Sequence, residues 1–185
     1  MQLDAKIIWF PTHDAQNEKK FNQKIGGIEI KSTEGKPVQP EVYEILEMIK
    51  MKDVILSTGH LSFYEIVNLL TAANEVGVKK KLVNHPGIIF QRFSIDQQKE
   101  LIKLGAILEH SYARPPHTLG WDELAESVKT LKPENIVLAT DLGQPQNPDP
   151  VTGMQEIWKE MIDRGCTKQE LKIMTCENPA RLLGI

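Results

Sequence analysis

Three short apolar runs, each stopping on a side chain that can ligate a metal, constrain this chain more than any other feature. Asp53-Val-Ile-Leu-Ser-Thr-Gly-His60 and Lys80-Lys-Leu-Val-Asn-His-Pro86 run into histidines. Asn135-Ile-Val-Leu-Ala-Thr-Asp-Leu-Gly-Gln144 runs into a carboxylate and then a glycine. Runs of this length, rich in β-branched residues, read as buried parallel strands. In a parallel α/β protein the carboxyl ends of all strands lie on one face, so His60, His85 and Asp141 are expected to converge there. Two imidazoles and a carboxylate suit a hard or borderline divalent metal.

The remaining pattern supports such a sheet. Ala5-Lys-Ile-Ile-Trp-Phe-Pro-Thr12 reads as a first strand stopped by Pro11, which has no N–H to donate. Residues 13–40 are polar and glycine-bearing, with a hairpin expected around Ile28–Gly35, and a connection that long reads as a lid or binding loop. Pro40 opens a helix with Val42, Ile45, Leu46 and Ile49 on one face. Ser62 and Glu65 form a capping box for the next helix, which Gly77 ends. Ser94 caps a helix before the strand Gly105–His110. A helix from about Gly120 to Leu131 precedes the Asn135 run. The three prolines in Gln144–Pro150 forbid regular structure. Helical stretches follow at about 151–164, 168–175 and 178–185. Five strands alternating with helices predict an α/β fold with a parallel sheet and right-handed crossovers. An open doubly wound sheet and a segment of a βα barrel both fit that alternation.

At 185 residues the chain is expected to be a single domain, 1–185. A net charge of -3 offers no basic field, so nucleic acid is not an expected partner. No apolar run reaches the roughly 20 residues that span a bilayer. The start Met-Gln-Leu-Asp-Ala-Lys is unlike a signal peptide, and Cys166 and Cys176 lack zinc-type spacing. A cytoplasmic location with reduced thiols is expected. No G-x-G-x-x-G follows a strand, which leaves a flavodoxin-like nucleotide or small-molecule binder as the least supported reading.

Thr58-Gly-His60, Asn84-His-Pro86, Thr140-Asp-Leu-Gly-Gln-Pro145 and Asn178-Pro-Ala-Arg-Leu-Leu-Gly184 together resemble the amidohydrolase superfamily of metal-dependent hydrolases. The likeness covers nearly the whole chain. It is closest to an uncharacterised bacterial and archaeal branch with a strand ending Trp-Met-Pro-Thr, which reads Trp9-Phe-Pro-Thr12 here. The resemblance implies a (βα)8 TIM-type barrel represented in part, with about five βα units matching its fourth to eighth strands. It implies His60, His85 and Asp141 as metal ligands, zinc or manganese as the cofactor, and Asp141 as the catalytic proton acceptor. The superfamily's substrates are amides, esters, lactones and phosphoesters, so a small-molecule substrate is expected.

Two departures stand out. No His-x-His, the superfamily's first-strand metal motif, occurs in the sequence, and Pro11-Thr12-His13-Asp14 stands where many relatives offer a bridging Lys or Glu. A carboxylated-lysine bridge is therefore not expected. A barrel without its first three strands has open edges, which predicts a homo-oligomer or a partner chain supplying the N-terminal half-barrel. The alternative function is a non-catalytic half-barrel that serves binding or assembly. His110 and Arg114 are the candidate substrate-binding residues. Taken singly, His110 reads as structural, His13 and His117 as exposed loop residues, and Trp9, Trp121 and Trp158 as packing residues.

Overall fold

The computed structural model describes residues 4–185. The chain divides into two compact units, one comprising the residues up to Asn84 plus Lys99–Ile107, the other His85–Gln98 plus Leu108–Ile185.

In the first unit, β1 (Ile7–Trp9), β2 (Ile55–Ser57) and β3 (Lys81–Asn84) lie side by side in chain order and pair in parallel, with Ile7 opposite Ile55 and Leu56 opposite Lys81. Every residue of β2 and β3 is buried, as strands covered on both faces require. α1 (Gln16–Phe21) follows β1, and α2 (Pro40–Lys52) and α3 (Phe63–Val76) flank β2 in sequence. α2 begins on Pro40, whose fixed φ suits a first helical position and whose missing N–H costs nothing there. α3 starts as its capping box predicts, with the Ser62 amide donating to the Glu65 carboxylate at 2.8 Å. It stops at Gly77 in the left-handed region, φ 92°. Leu46, Ile66, Leu69 and Leu70 have no exposed surface and form the helical side of this core.

Residues 28–36 make no hairpin of regular strands. They form a strap held by isolated bridges, Ala15 to Ile28 and Thr33 to Lys36. The strap is latched by the Ile30 amide, which donates to the buried Glu65 carboxylate at 2.9 Å.

α4 (Ile95–Lys103) is capped reciprocally by Ser94 and Gln97 and leads to β4 (Ile107–His110). In the second unit β4 pairs in parallel with β5 (Ile136–Leu138), His110 lying opposite Leu138. α5 (Trp121–Leu131), α6 (Pro150–Asp163), α7 (Lys168–Lys172) and α8 (Asn178–Leu183) complete it, a π turn at Ile173–Glu177 joining the last two. Asn178, from the closing motif, is buried and donates to the carbonyls of Pro133 and Ile136, which ties α8 to the start of β5. Gln144–Asp149 contains neither helix nor strand, whereas Pro150, expected in the same irregular stretch, is the first residue of α6, where its fixed φ fits. Among the described residues, no helix is long and apolar enough to cross a membrane.

Candidate metal centre

His60 stands three residues beyond the end of β2, and its position is set by backbone geometry. The Phe10 amide donates to the Ser57 carbonyl at 2.8 Å, and the His60 amide donates to the Pro11 carbonyl at 2.9 Å. The segments leaving β1 and β2 are thereby zipped together. Between them Gly59 takes φ 59°, and a β-carbon there would lie 2.4 Å from the Phe10 oxygen, so only glycine fits. The Asn84 side-chain oxygen, from the end of β3, accepts from the Gly59 amide at 3.1 Å and from the buried Ser57 hydroxyl.

This arrangement brings His60 to Glu18 and His13. The His60 Nδ1 lies in close hydrogen-bond contact with Glu18 Oε2, while the His13 Nδ1 is 3.1 Å from Glu18 Oε1. The two rings meet edge to face, their centroids 5.4 Å apart. One ligand-capable atom from each residue falls within 4.8 Å of the others, a spacing that can hold one metal ion. The His60 and Glu18 side chains are 10% and 12% exposed, whereas His13 is 87% exposed and forms the open side. Burial pushes the Glu18 carboxyl upward, but hydrogen bonds and charge from His60 and His13 together outweigh it and hold its pKa below the ordinary 4.5. An ionised carboxylate between two imidazoles is a donor set suited to zinc or manganese. Asn17, next in α1, donates its side-chain amide to the His60 carbonyl at 3.1 Å, fixing α1 against the His60 turn.

Of the residues expected from sequence, His60 belongs to this group. The others lie in the second unit. His85 directly follows β3 with φ 23°, is 8% exposed, and packs its ring edge to face with Phe90 at 6.3 Å. Asp141 is exposed, three residues past the end of β5, with φ 53°. His110 ends β4 with 1% exposure, and its Nε2 has no hydrogen-bond partner among the described residues. Burial drives its pKa down to about 4, so it is a neutral imidazole. Arg114 is half-buried in the loop after β4, its amide donating to the Thr118 hydroxyl at 2.7 Å.

Glu18 and His13 were not among the expected ligands. The stretch that holds them reads as a polar connection, and α1 has no buried residue to create an apolar periodicity. The strand-end logic applied to β1, which runs through Pro11 and Thr12 to His13, is the signal that points to them.

No curated protein matches the chain in sequence. Among solved structures, the phosphotriesterase homology protein from Escherichia coli superposes with a TM-score of 0.61 and 17% identity, over 92% of this chain and 64% of that one. The organophosphorus hydrolase from Deinococcus radiodurans gives 0.62 and 15%, over 93% of this chain and 60% of that one. A beta-aspartyl dipeptidase from Fervidobacterium islandicum AW-1 gives 0.57 and 16%, over 80% and 44%. At these identities the likeness establishes the fold, that of a TIM-type barrel represented in part, as the strand-end motifs imply. The chain spans less than two thirds of the length of each of these structures. A family model matches residues 1–109, more than half of the sequence, and the chain accordingly belongs to the family of unknown function DUF6282.

Proposed function

We propose that this protein is a metal-dependent hydrolase of amidohydrolase type, acting on an amide, ester or phosphoester of a small molecule. The observation that carries this reading is the His13, Glu18 and His60 group at the end of β2. A bound divalent ion there would bring water to a pKa of about 7 and polarise the carbonyl or phosphoryl oxygen under attack. Glu18, ionised by its two imidazole neighbours, holds the charge that a cation needs, and His60 is aimed by the Gly59 turn. The resemblance at the strand ends adds His85 and Asp141 as further ligands and gives Asp141 the proton-accepting role. A carboxylate suits that role when it lies within hydrogen-bond reach of the attacking water. His110, a neutral buried imidazole with an unsatisfied nitrogen, and Arg114 are assigned to the substrate.

The test is reconstitution of the purified protein with zinc or manganese, followed by assay against lactone, phosphotriester and dipeptide panels. Metal-dependent turnover that Asp141→Asn abolishes, with weaker metal retention as the loss of a ligand requires, supports the reading. Turnover that is independent of added metal, or of Asp141, contradicts it. A second reading, a binding or assembly half-barrel without catalysis, is favoured by the missing His-x-His motif. Under that reading the protein binds metal or partner but turns over nothing in any panel.

A further inference from the structure

A cavity of about 420 Å³ lies between α1, the strap 29–32 and the first turns of α3. None of the three residues of the candidate metal centre lines it. Its size falls in the lower part of the range used for small-molecule ligands, about 300–1,000 Å³.

The charges around the cavity are unevenly compensated. The Glu65 carboxylate is saturated, accepting from the Ile30 amide at 2.9 Å, the Ser62 amide at 2.8 Å and the Ser62 hydroxyl. Glu29 faces Lys31, with 3.6 Å between the charged atoms. Lys20, among the described residues, has no carboxylate within ion-pair distance, so its ammonium is the cation of the lining that lacks an ion-pair partner. Gln16 and Asn68 also line the cavity, and their side-chain amides have no hydrogen-bond partner among the described residues. Ile30, 5% exposed, supplies an apolar wall, and Tyr64, 79% exposed, stands at the rim. Two side-chain amides and one ammonium unpaired among the described residues, around a metabolite-sized space, favour a polar ligand with a single anionic group.

We infer that this cavity, walled by α1, the strap and α3, is a second ligand site that binds a small polar molecule through a carboxylate or phosphate group held by Lys20. Gln16 and Asn68 take its neutral polar groups. The site stands whether or not the metal centre is catalytic.

The experiment is an NMR titration of the full chain as purified, with no metal added, following the side-chain amides of Gln16 and Asn68. The probes are inorganic phosphate, the monocarboxylate succinamate and the neutral succinamide. Saturable shifts of both amides with phosphate or succinamate, and none with succinamide, are expected, the responding anion distinguishing phosphate from carboxylate. Lys20→Gln, at an exposed position that leaves the fold intact, should weaken binding at least about tenfold. Asn68→Phe, which fills the space, should abolish it. Equal shifts with succinamide, unchanged affinity in Lys20→Gln, or no saturable shift with any probe would overturn the assignment.

Discussion

His60 and Glu18, 42 residues apart in the chain, meet through an imidazole nitrogen and a carboxylate oxygen. The contact exists because β1 and β2 are parallel neighbours, so the segments leaving them emerge on the same side. The residue that makes this possible is Gly59, at the turn where the two exits approach most closely.

Gly59→Ala should therefore be costly. The new methyl meets the Phe10 and Pro11 oxygens at 2.4 and 2.5 Å, and alanine is strained at φ 59°. A loss of about 3 kcal/mol is expected in urea unfolding, beyond the usual range for a surface change. A loss below about 1 kcal/mol would mean that the turn relaxes freely and does not set the His60 position.

Glu65 ties the strap to α3. Glu65→Ala removes the acceptor of two backbone amides, Ile30 and Ser62, and should cost about 2 kcal/mol. Hydrogen exchange at the Ile30 amide should speed up in the variant. Unchanged exchange there would show that the strap is held by other contacts.

The buried His110 makes stability fall on the acid side. Its imidazole ordinarily titrates near 6.5, and burial lowers this to about 4 in the folded chain. The unfolded chain thus binds the proton first as pH drops. Stability is fully present above about pH 6.5 and is lost as pH falls toward 4, by on the order of 3 kcal/mol. His110→Phe should remove this limb from a plot of unfolding free energy against pH, and a limb of unchanged depth would assign it to other groups.

Among the described residues β1 is an edge strand, and Ile8 and Trp9 on it are 37% and 51% exposed. An unpaired, apolar edge invites pairing. Light scattering at micromolar concentration should find a dimer or larger species, and Trp9→Lys should shift it toward monomer. A wild-type monomer would contradict this.

β2, β3, β5 and α3 were legible in the sequence because burial on both faces leaves short apolar runs in these strands, and because Ser62, Glu65 and Gly77 act through local geometry. His60 was legible by the same route. Glu18 was not, since its role depends on β1 and β2 being neighbours, a non-local fact that a six-residue polar helix does not advertise. The strap read as a hairpin because Ile28 and Ile30 alternate with polar residues, yet only Thr33 and Lys36 bridge antiparallel, while Ile28 and Ile30 bond to Asp14, Gln16 and Glu65. Trp9 read as a packing residue from its strand position, but at the sheet edge its ring is half exposed.

The central claim, that imidazoles and a carboxylate at the end of β2 grip a divalent ion, is tested most directly by metal stoichiometry. Purified protein equilibrated with zinc or manganese, dialysed, and analysed by mass spectrometry of its metals should retain the ion in molar proportion to the chain. The Glu18→Ala, His60→Ala double variant, still folded by circular dichroism, should lose it. Equal metal in the two proteins, or none in the wild type, would contradict the account.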